Sequence, residues 1–316
     1  MINNSNAPDV ETKEYLYLLH GLIVKSSFVI PELIPAEQEK VNKIDVTITF
    51  GKVPKTIDYP VINNSELKLS EKERYFLVKG LAHFYIANGN TIIIEQIEHI
   101  QMARIRVYIL GGCIGAILSQ RNMIPIHGSS VLINGLGIIF SGSSGSGKST
   151  ITTSFINKGC KFLSDDITAI CKNDNGQFVI HPSYPLQKIC NDAKEIIRYE
   201  YSEIKLVDSL RNKYAVFSIS NFWNKVITLN GLFHIAAEET SEVYVYEICG
   251  NEKITTLLKS IYGINAIQHL GIKPDFFKQL LELSQKIKIY KLVRPLHGFT
   301  VKEQTDLVWD ILSNRF

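Results

Sequence analysis

One octapeptide restricts the fold of this chain more than any other part of its sequence. GSSGSGKS, residues 142–149, matches the pattern G-x-x-x-x-G-K-[ST] in full, with the apolar segment GIIFS before it and a helix-forming segment after it. Small residues let backbone N–H groups converge on phosphate oxygens, and the following helix adds the positive end of its dipole. The octapeptide therefore predicts a strand–loop–helix unit that holds phosphates.

The loop pattern gives its residues separate roles. Lys148 is expected to approach the β- and γ-phosphates of a nucleotide, and the Ser149 hydroxyl is expected to ligate Mg²⁺. The loop therefore predicts a nucleotide and Mg²⁺, and it leaves the reaction open, because ATPases, GTPases and small-molecule kinases all use such a loop. The predicted nucleotide-binding residues are Gly142, Ser143, Ser144, Gly145, Ser146, Gly147, Lys148, Ser149 and Thr150.

Two adjacent aspartates follow the loop at a distance of one helix. Asp165 and Asp166 come directly after the segment CKFLS, a predicted strand that we expect to lie beside the strand leading into the loop. Strand alternation separates neighbouring side chains, but at a strand end both can turn toward the phosphates. One carboxylate is then expected to hold Mg²⁺, and the other to accept the proton of an attacking hydroxyl. A solvated surface turn is the alternative interpretation of this pair.

A histidine precedes the loop in the segment IPIHGSSVLINGLG. Its Asn-Gly pair predicts a hairpin, which would bring His127 close to the start of the loop. His127 could there stabilise charge on the γ-phosphate or orient the nucleophile, and a core histidine bonded to the backbone is the equally weighted alternative. His234 has no comparable context and is predicted to be structural.

Turn signals indicate a mixed sheet. The Asn-Gly hairpin before the loop and a second one at Asn175–Gly176 predict antiparallel pairing, unlike the parallel sheet of ordinary nucleotide-binding domains. Residues 15–97 are rich in β-branched and aromatic residues. We therefore predict an α/β protein, α+β-like in its mixed sheet, with a mostly-β N-terminal domain over residues 1–100 and a catalytic domain over residues 101–316. The helices expected in the last third lie near 252–262, 274–286 and 302–314.

Composition disfavours several classes of protein. The chain has 34 basic and 31 acidic side chains and a net charge of +3, which does not indicate a nucleic-acid partner. No signal peptide is visible, and the apolar stretch over 107–118 is expected to be too short to span a bilayer and to form a buried helix. Five cysteines without CxxC spacing are expected to be free thiols. We therefore expect a cytoplasmic protein with no nucleic-acid and no membrane partner.

The segment from IPIHGSS to SDDITAI, residues 124–170, resembles the core of the HPr serine kinase family, whose fold is related to phosphoenolpyruvate carboxykinase. The shared elements are a histidine–glycine pair on a strand, an Asn-Gly hairpin, the phosphate loop, and two aspartates one helix later. The resemblance implies a P-loop kinase core of that type, in which His127, Asp165 and Asp166 are active-site residues. It also implies a homo-oligomer.

Further segments resemble the HPr-kinase-like proteins found with peptide-modifying gene clusters, including lasso-peptide tailoring kinases. They are GLIVKSSFVIPEL (21–33), DVTITFGKVP (45–54), HPSYPLQKI (181–189) and IYKLVRP (289–295). The L-E-x-R-G-x-G signature of true HPr kinases is replaced here by HPSYPLQKICNDAKEI, so HPr itself is not the expected substrate. Lys188, Lys213 and Arg294 are candidate contacts to phosphate or substrate, with ordinary surface cations as the alternative.

Together these features predict an ATP- and Mg²⁺-dependent kinase that phosphorylates a serine hydroxyl of a peptide, with the C-terminal serine of a lasso-peptide precursor as the expected acceptor. Asp165 is the predicted general base, Asp166 and Ser149 the predicted metal ligands, and Lys148 the phosphate clamp. One alternative is a kinase for a small molecule such as free serine. Another is a non-catalytic protein that binds a nucleotide and then a peptide or protein partner.

Overall fold

The structure, a computed structural model, describes residues 14–37, 39, 41–97, 101–198, 200–208 and 213–315, and the side chains of these except at 191, 192, 203–208, 213 and 315. It is a mixed α/β fold with a nine-stranded sheet, an eight-stranded sheet and a three-stranded sheet. The predicted border between domains falls at residues 98–100, outside the described residues, and the division into two domains stays a prediction.

The first sheet contains the nine strands of residues 15–96, in the order β3-β1-β2-β4-β9-β8-β7-β6-β5. These strands are β1 (Tyr15–Leu19), β2 (Leu22–Ser26), β3 (Ile34–Pro35), β4 (Val46–Phe50), β5 (Ile62–Asn63), β6 (Leu67–Leu69), β7 (Glu73–Val78), β8 (Ala82–Ala87) and β9 (Thr91–Gln96). Strand β4 pairs in parallel with β2 and β9, and the remaining pairs are antiparallel. The Asn88–Gly89 turn joins β8 and β9 with positive φ at both residues, 53° and 65°, as the Asn-Gly pair predicts.

A continuous helical segment leads from the first sheet to the second. It consists of α1 (Met102–Tyr108), one π-helical turn (Ile109–Cys113) and α2 (Ile114–Gln120). Its range agrees with the apolar helix that the sequence predicts over residues 102–121. Within the described ranges it is the one helix that is long and apolar enough to cross a membrane, which the shorter apolar stretch over 107–118 did not lead us to expect. However, 56% of its apolar window is buried, and it packs between the two sheets as a core helix.

The second sheet carries the predicted phosphate loop. Its strands are β10 (Ile124–Ile133), β11 (Leu136–Gly142), β12 (Lys161–Ser164), β13 (Ile167–Lys172), β14 (Phe178–His181), β18 (Ile227–Glu238), β19 (Tyr244–Glu247) and β20 (Lys288–Pro295). Strand β10 pairs with β13 through its first half and with β11 and β12 through its second half. Strand β18 pairs antiparallel with β14 and parallel with β11 and β20. The mixed sheet that the turn signals predict is therefore present.

A small third sheet and six further helices complete the described fold. The sheet consists of β15 (Leu186–Ile189), β16 (Glu203–Asp208) and β17 (Lys213–Phe217), all antiparallel. The helices are α3 (Lys148–Asn157), α4 (Asn191–Glu195), α5 (Asn251–Ser260), α6 (Ile264–Leu270), α7 (Pro274–Lys286) and α8 (Val301–Arg315). Helices α5, α7 and α8 match the three predicted ranges, whereas α4 and α6 were not predicted.

Candidate active site

The phosphate loop connects the buried strand β11 to helix α3, as its sequence context predicts. Gly142 ends β11 with a φ of 144°, and a Cβ atom there would lie 2.5 Å from the backbone oxygen of Ile235 and 2.7 Å from Ser146 Oγ. Gly147 caps α3 with a φ of 110°. Both values lie in the region that favours glycine, so glycine is needed at the two ends of the loop.

The side chain of Lys148 folds back over the loop. Its Nζ donates hydrogen bonds to the backbone oxygens of Gly142 at 2.8 Å and of Ser143 at 2.9 Å. The ammonium group is therefore held against the loop backbone, beside the first turn of α3. The positive charge and the helix N-terminus together make this region favourable for an anion.

Arg294, near the end of β20, binds the backbone of the loop. Its guanidinium donates to the backbone oxygens of Ser146 at 2.8 Å, Gly145 at 3.1 Å and Pro295 at 2.8 Å. Because the two loop carbonyls accept these bonds, they are fixed in direction and the loop shape is fixed with them. Arg294 therefore positions the loop through these contacts, and it is not the ordinary surface cation that the sequence left open as an alternative.

The two aspartates lie in a tight turn between β12 and β13. Asp166 adopts a φ of 68°, in the left-handed region, and the Ile167 N–H donates to the Asp165 backbone oxygen at 2.8 Å. A non-glycine residue in that region costs on the order of 1 kcal/mol. This turn presents both side chains to one cavity, with Asp165 nearly buried and the Asp166 side chain 26% exposed.

Our expectation that the CKFLS strand lies beside the loop strand is wrong. Strand β12 pairs with β10, not with β11. The physical reason is that both edges of β11 are occupied, one by β10 in the hairpin and the other by β18 in parallel pairing. The aspartates reach the loop region from one strand further away.

Lys188, on β15, connects the aspartates to the loop. Its backbone N–H donates to Asp165 Oδ2 at 2.7 Å, and its Nζ donates to Asp166 Oδ2 at 2.9 Å. Its backbone oxygen accepts a hydrogen bond from Ser149 Oγ at 3.0 Å. A single residue therefore touches both carboxylates and the predicted metal-binding hydroxyl of the loop.

The charge of Lys188 is set by these neighbours. Burial by itself lowers the pKa of the ammonium, but the phenol of Tyr184 and the carboxylates of Asp166 and Asp165 outweigh it, so the pKa is raised above its ordinary value. Burial raises the pKa of Tyr184 to about 12. Lys188 is therefore a largely buried cation at neutral pH, with its side chain 17% exposed, and the alternative of an ordinary surface cation does not describe it.

His127 lies beside the aspartate turn. Its Nδ1 is 3.2 Å from the backbone oxygen of Asp166 and 3.7 Å from the Asp166 carboxylate, and its ring packs near Tyr262. The following Gly128 N–H also donates to the Asp166 backbone oxygen, at 3.2 Å. The histidine thus combines both interpretations, because it bonds to backbone and also lines the cavity with the aspartates.

A chain of buried hydroxyl groups lies under the aspartate turn, and the sequence reasoning missed it. Ser130 Oγ bonds to Ser164 Oγ at 2.6 Å, Ser164 Oγ bonds to Thr168 Oγ1 at 2.6 Å, and Thr168 Oγ1 donates to the Gly128 backbone oxygen at 3.0 Å. These bonds tie β10, β12 and β13 together at the point where the turn begins. The available signal was a set of hydroxyl residues within strands that are otherwise apolar.

His234 supports the fold, in line with its predicted structural role, and three lysines lie near it. It lies on β18, which pairs in parallel with the loop strand β11, and its Nδ1 is 3.2 Å from Ser141 Oγ and 3.4 Å from Ser260 Oγ. Burial lowers its pKa first, and the positive charges of Lys291, Lys259 and Lys148 lower it further. A neutral imidazole therefore supports the strand that leads into the loop.

The loop and the aspartates line one cavity of about 620 Å³. This volume lies within the range of small-molecule sites. The lining residues are His127, Ser129, Ser144, Gly145, Gly147, Lys148, Ser149, Thr150, Asp165, Asp166, Lys188, Cys190, Arg294, Gly298, Phe299, Thr300, Val301 and Gln304.

Four predicted residues fall elsewhere. Gly142, Ser143 and Ser146 support the loop from outside this lining, and the buried Ser146 hydroxyl has no hydrogen-bond partner among the described residues. The side chain of Lys213 is outside the described part of the chain, and its backbone begins β17.

The donor set of the cavity fits Mg²⁺ only when phosphates complete the coordination. No group of three or more His, Cys, Asp or Glu side chains that could hold a metal ion occurs among the residues that the structure describes. However, Mg²⁺ is usually bound by one or two carboxylates together with substrate phosphates and water. Asp166 and the Ser149 hydroxyl, in one cavity with the phosphate loop, match that pattern.

Comparison with known proteins gives limited matches. The family described as SynChlorMet cassette protein ScmC matches residues 94–206, which is just over a third of the chain. That segment includes His127, the phosphate loop, both aspartates and Lys188. No curated protein sequence matches the chain.

One solved structure, the Hpr(Ser) kinase/phosphatase from Coxiella burnetii, aligns with 60% of this chain and 94% of its own length, at 12% sequence identity and a TM-score of 0.31. So low a TM-score does not establish a shared fold or a shared activity.

Proposed function

We propose that this chain is an ATP- and Mg²⁺-dependent phosphotransferase that transfers the γ-phosphoryl group to a serine hydroxyl. The observation that carries the proposal is the position of Lys188, which joins the two carboxylates to Ser149 at the edge of one cavity. A phosphate clamp, a metal-binding pair and a proton acceptor are the groups that phosphoryl transfer requires. The cavity contains candidates for all three.

The residues take separate roles in the proposed reaction. Asp165 accepts the proton of the attacking serine hydroxyl. The serine oxygen bonds to the γ-phosphorus while the bond between the γ-phosphorus and the β–γ bridging oxygen breaks, which leaves ADP. Lys148 neutralises charge on the β- and γ-phosphate oxygens. Asp166 and Ser149 hold Mg²⁺, which when bound neutralises further charge on those phosphates.

Asp165 suits the role of base because its surroundings are fixed. It is only 7% exposed, and one of its oxygens accepts the Lys188 N–H at 2.7 Å. Such a hydrogen bond orients the carboxylate before the acceptor arrives. Asp166 is the more exposed of the two and therefore the more accessible to a hydrated metal ion.

We propose a peptide as the acceptor, with the C-terminal serine of a lasso-peptide precursor as the specific case. The resemblance of four segments to lasso-peptide tailoring kinases supports this choice. His127 and Asp166 both line the cavity and are partly exposed, with side chains 33% and 26% accessible. A serine hydroxyl that enters there meets the carboxylates first.

The test is mass spectrometry of candidate peptides after incubation with ATP and Mg²⁺, in wild type and in Asp165→Asn. We expect a gain of one or more phosphoryl groups on serine with wild type, and turnover lower by about 10²–10⁴-fold in the variant with ATP binding retained. Asp174→Asn, in the exposed turn after β13, is the matched control and should leave turnover unchanged.

Three outcomes would contradict parts of the proposal. Normal turnover in Asp165→Asn would remove Asp165 as the base. Transfer to free serine but to no peptide would replace the peptide by a small-molecule acceptor. Nucleotide binding without transfer to any acceptor would favour a non-catalytic protein.

A further inference from the structure

The cavity has two ends of different chemistry. The acid end is the part lined by His127, Asp165, Asp166 and Lys188. Another part is lined by residues 298–301, within the segment 296–301 that leads from β20 into α8. That segment is apolar and open, with Phe299 52% exposed. Phe299 is also the only phenylalanine, tyrosine or tryptophan among the described residues that line the cavity.

The direction of a triphosphate on the loop follows from the loop pattern and from the contact between Ser149 and Lys188. In loops of this pattern the lysine and the serine at its end serve the β- and γ-phosphates, while the backbone amides cradle the α- and β-phosphates. Ser149 Oγ bonds to the Lys188 backbone oxygen, so the γ-phosphate end faces the acid end of the cavity. The nucleoside must therefore leave the loop on the other side.

The other side of the loop is tied to the segment that carries Phe299. Arg294 binds the backbone oxygens of Gly145 and Ser146 in the loop and also that of Pro295, one residue before the segment begins. Gly298 has a φ of 92°, and no atom lies within 4 Å of a Cβ placed there, so the turn before Phe299 is uncovered. The Phe299 ring lines the same cavity as the loop residues Gly145 and Gly147.

We propose that the base of the bound nucleotide stacks on Phe299. This inference rests on the proposed function, because it concerns the nucleotide of the same site. An aromatic ring half exposed at a cavity edge offers a flat apolar surface, and a nucleobase has a π-face of matching shape. The 296–301 segment is then the nucleoside-binding segment, and the acceptor is confined to the acid end.

The test compares two ligands by titration calorimetry: Mg·ATP and Mg·tripolyphosphate, the latter having the phosphates without the nucleoside. Stacking contributions measured by alanine substitution predict that Phe299→Ala weakens ATP binding by about 10-fold or more and leaves tripolyphosphate binding unchanged. Arg294→Met should weaken both ligands, because Arg294 supports the loop. Phe277→Ala is the matched control, since Phe277 is 39% exposed on α7 and away from the cavity.

A second variant keeps the test independent of the alanine substitution. Phe299→Trp retains a stacking surface, and its fluorescence should be quenched by ATP but not by tripolyphosphate. Equal ATP affinity in wild type and Phe299→Ala, with no quenching in Phe299→Trp, would overturn the inference while the proposed function stands. Failure of wild type to bind either ligand would overturn the proposed function as well.

Discussion

Replacing Lys188 by methionine removes the ammonium group that contacts the Asp166 carboxylate, and keeps both an apolar chain of similar length and the backbone N–H that binds Asp165. The Lys188 ammonium lies 2.9 Å from Asp166 Oδ2, and the two side chains are 17% and 26% exposed. We expect the variant to be less stable than wild type, because the Asp166 carboxylate would lose the ammonium group that donates a hydrogen bond to it. Added Mg²⁺ should then raise the melting temperature of the variant more than that of wild type.

The size of the loss can be worked from the geometry. At 2.9 Å and an effective dielectric constant of about 20, the attraction between two unit charges is about 6 kcal/mol. The cost of burying the ammonium offsets part of this, and removal of one partner of a buried pair typically costs about 3–5 kcal/mol. We take about 3 kcal/mol, which for a chain of 316 residues corresponds to a fall in melting temperature of roughly 4–5 °C.

The pH dependence of this loss has a definite sign. The pKa of Lys188 is raised in the folded protein, so its contribution to stability is fully present below the pKa of an unfolded lysine, about 10.4. The contribution is lost only as the pH rises through the raised value. The difference between wild type and Lys188→Met should therefore be the same at pH 7 and at about pH 9.

Thermal unfolding at pH 7 without divalent cations measures the effect. The control is Lys273→Met, which removes the exposed ion pair between Lys273 and Glu71, whose side chains are 51% and 64% accessible. Exposed pairs of this kind contribute little to stability. If Lys188→Met melted at the same temperature as Lys273→Met, the idea that Lys188 is a buried link between the carboxylates would be refuted.

Two further predictions concern a buried histidine and the first glycine of the loop. Burial, followed by the charge of a neighbouring histidine, lowers the pKa of His20 to about 3, so stability should fall by about 2 kcal/mol from this residue alone as the pH drops from 6.5 to 5. His20→Asn, which suits the φ of 52° at this position, should lose less stability over that interval in denaturant melts, and an equal loss would contradict the prediction. Gly142→Ala should abolish the rise in melting temperature caused by ATP, because the added Cβ meets the Ile235 backbone oxygen at 2.5 Å. Gly135→Ala, which has a φ of 82° but open space around it, should keep that rise.

Features that depend on local sequence were predictable. The strand–loop–helix unit appears as β11, the loop and α3, and α3 ends at Asn157 just before Gly159. The Asn-Gly turn at Asn134 and Gly135 joins β10 and β11, with positive φ at both residues. Such turns and caps are specified by a few adjacent residues, because they require backbone conformations that only those residues adopt easily.

Features that depend on distant pairing were not predictable. The second neighbour of β11 is β18, about 90 residues further along the chain, and its parallel pairing displaces β12 to the far side of β10. No local pattern encodes that choice. Helix α6 was missed for a different reason: it is only seven residues long, so its apolar residues Ile264 and Ile267, which pack against the core, are too few to form a recognisable periodic pattern.

Lys188 marks the limit of sequence reasoning at the site. A lysine side chain is usually exposed, and nothing in the residues around Lys188 in the sequence indicates that its side chain is largely buried. Its position arises because β15 pairs with β17 in the third sheet and brings residues 187–189 against the aspartate turn. The two aspartates, by contrast, could be placed near the loop from sequence, because only one helix separates them from it.

A structure of the protein with Mn²⁺ and the non-hydrolysable β,γ-imido analogue of ATP would show whether the nucleotide, the metal ion and the aspartates meet in one cavity. We predict an anomalous Mn²⁺ peak inside the cavity, at a ligand distance of about 2.2 Å from Asp166, with the triphosphate on the loop beside Lys148. A nucleotide bound outside this cavity, or a metal ion beyond ligand distance of both aspartates, would contradict it.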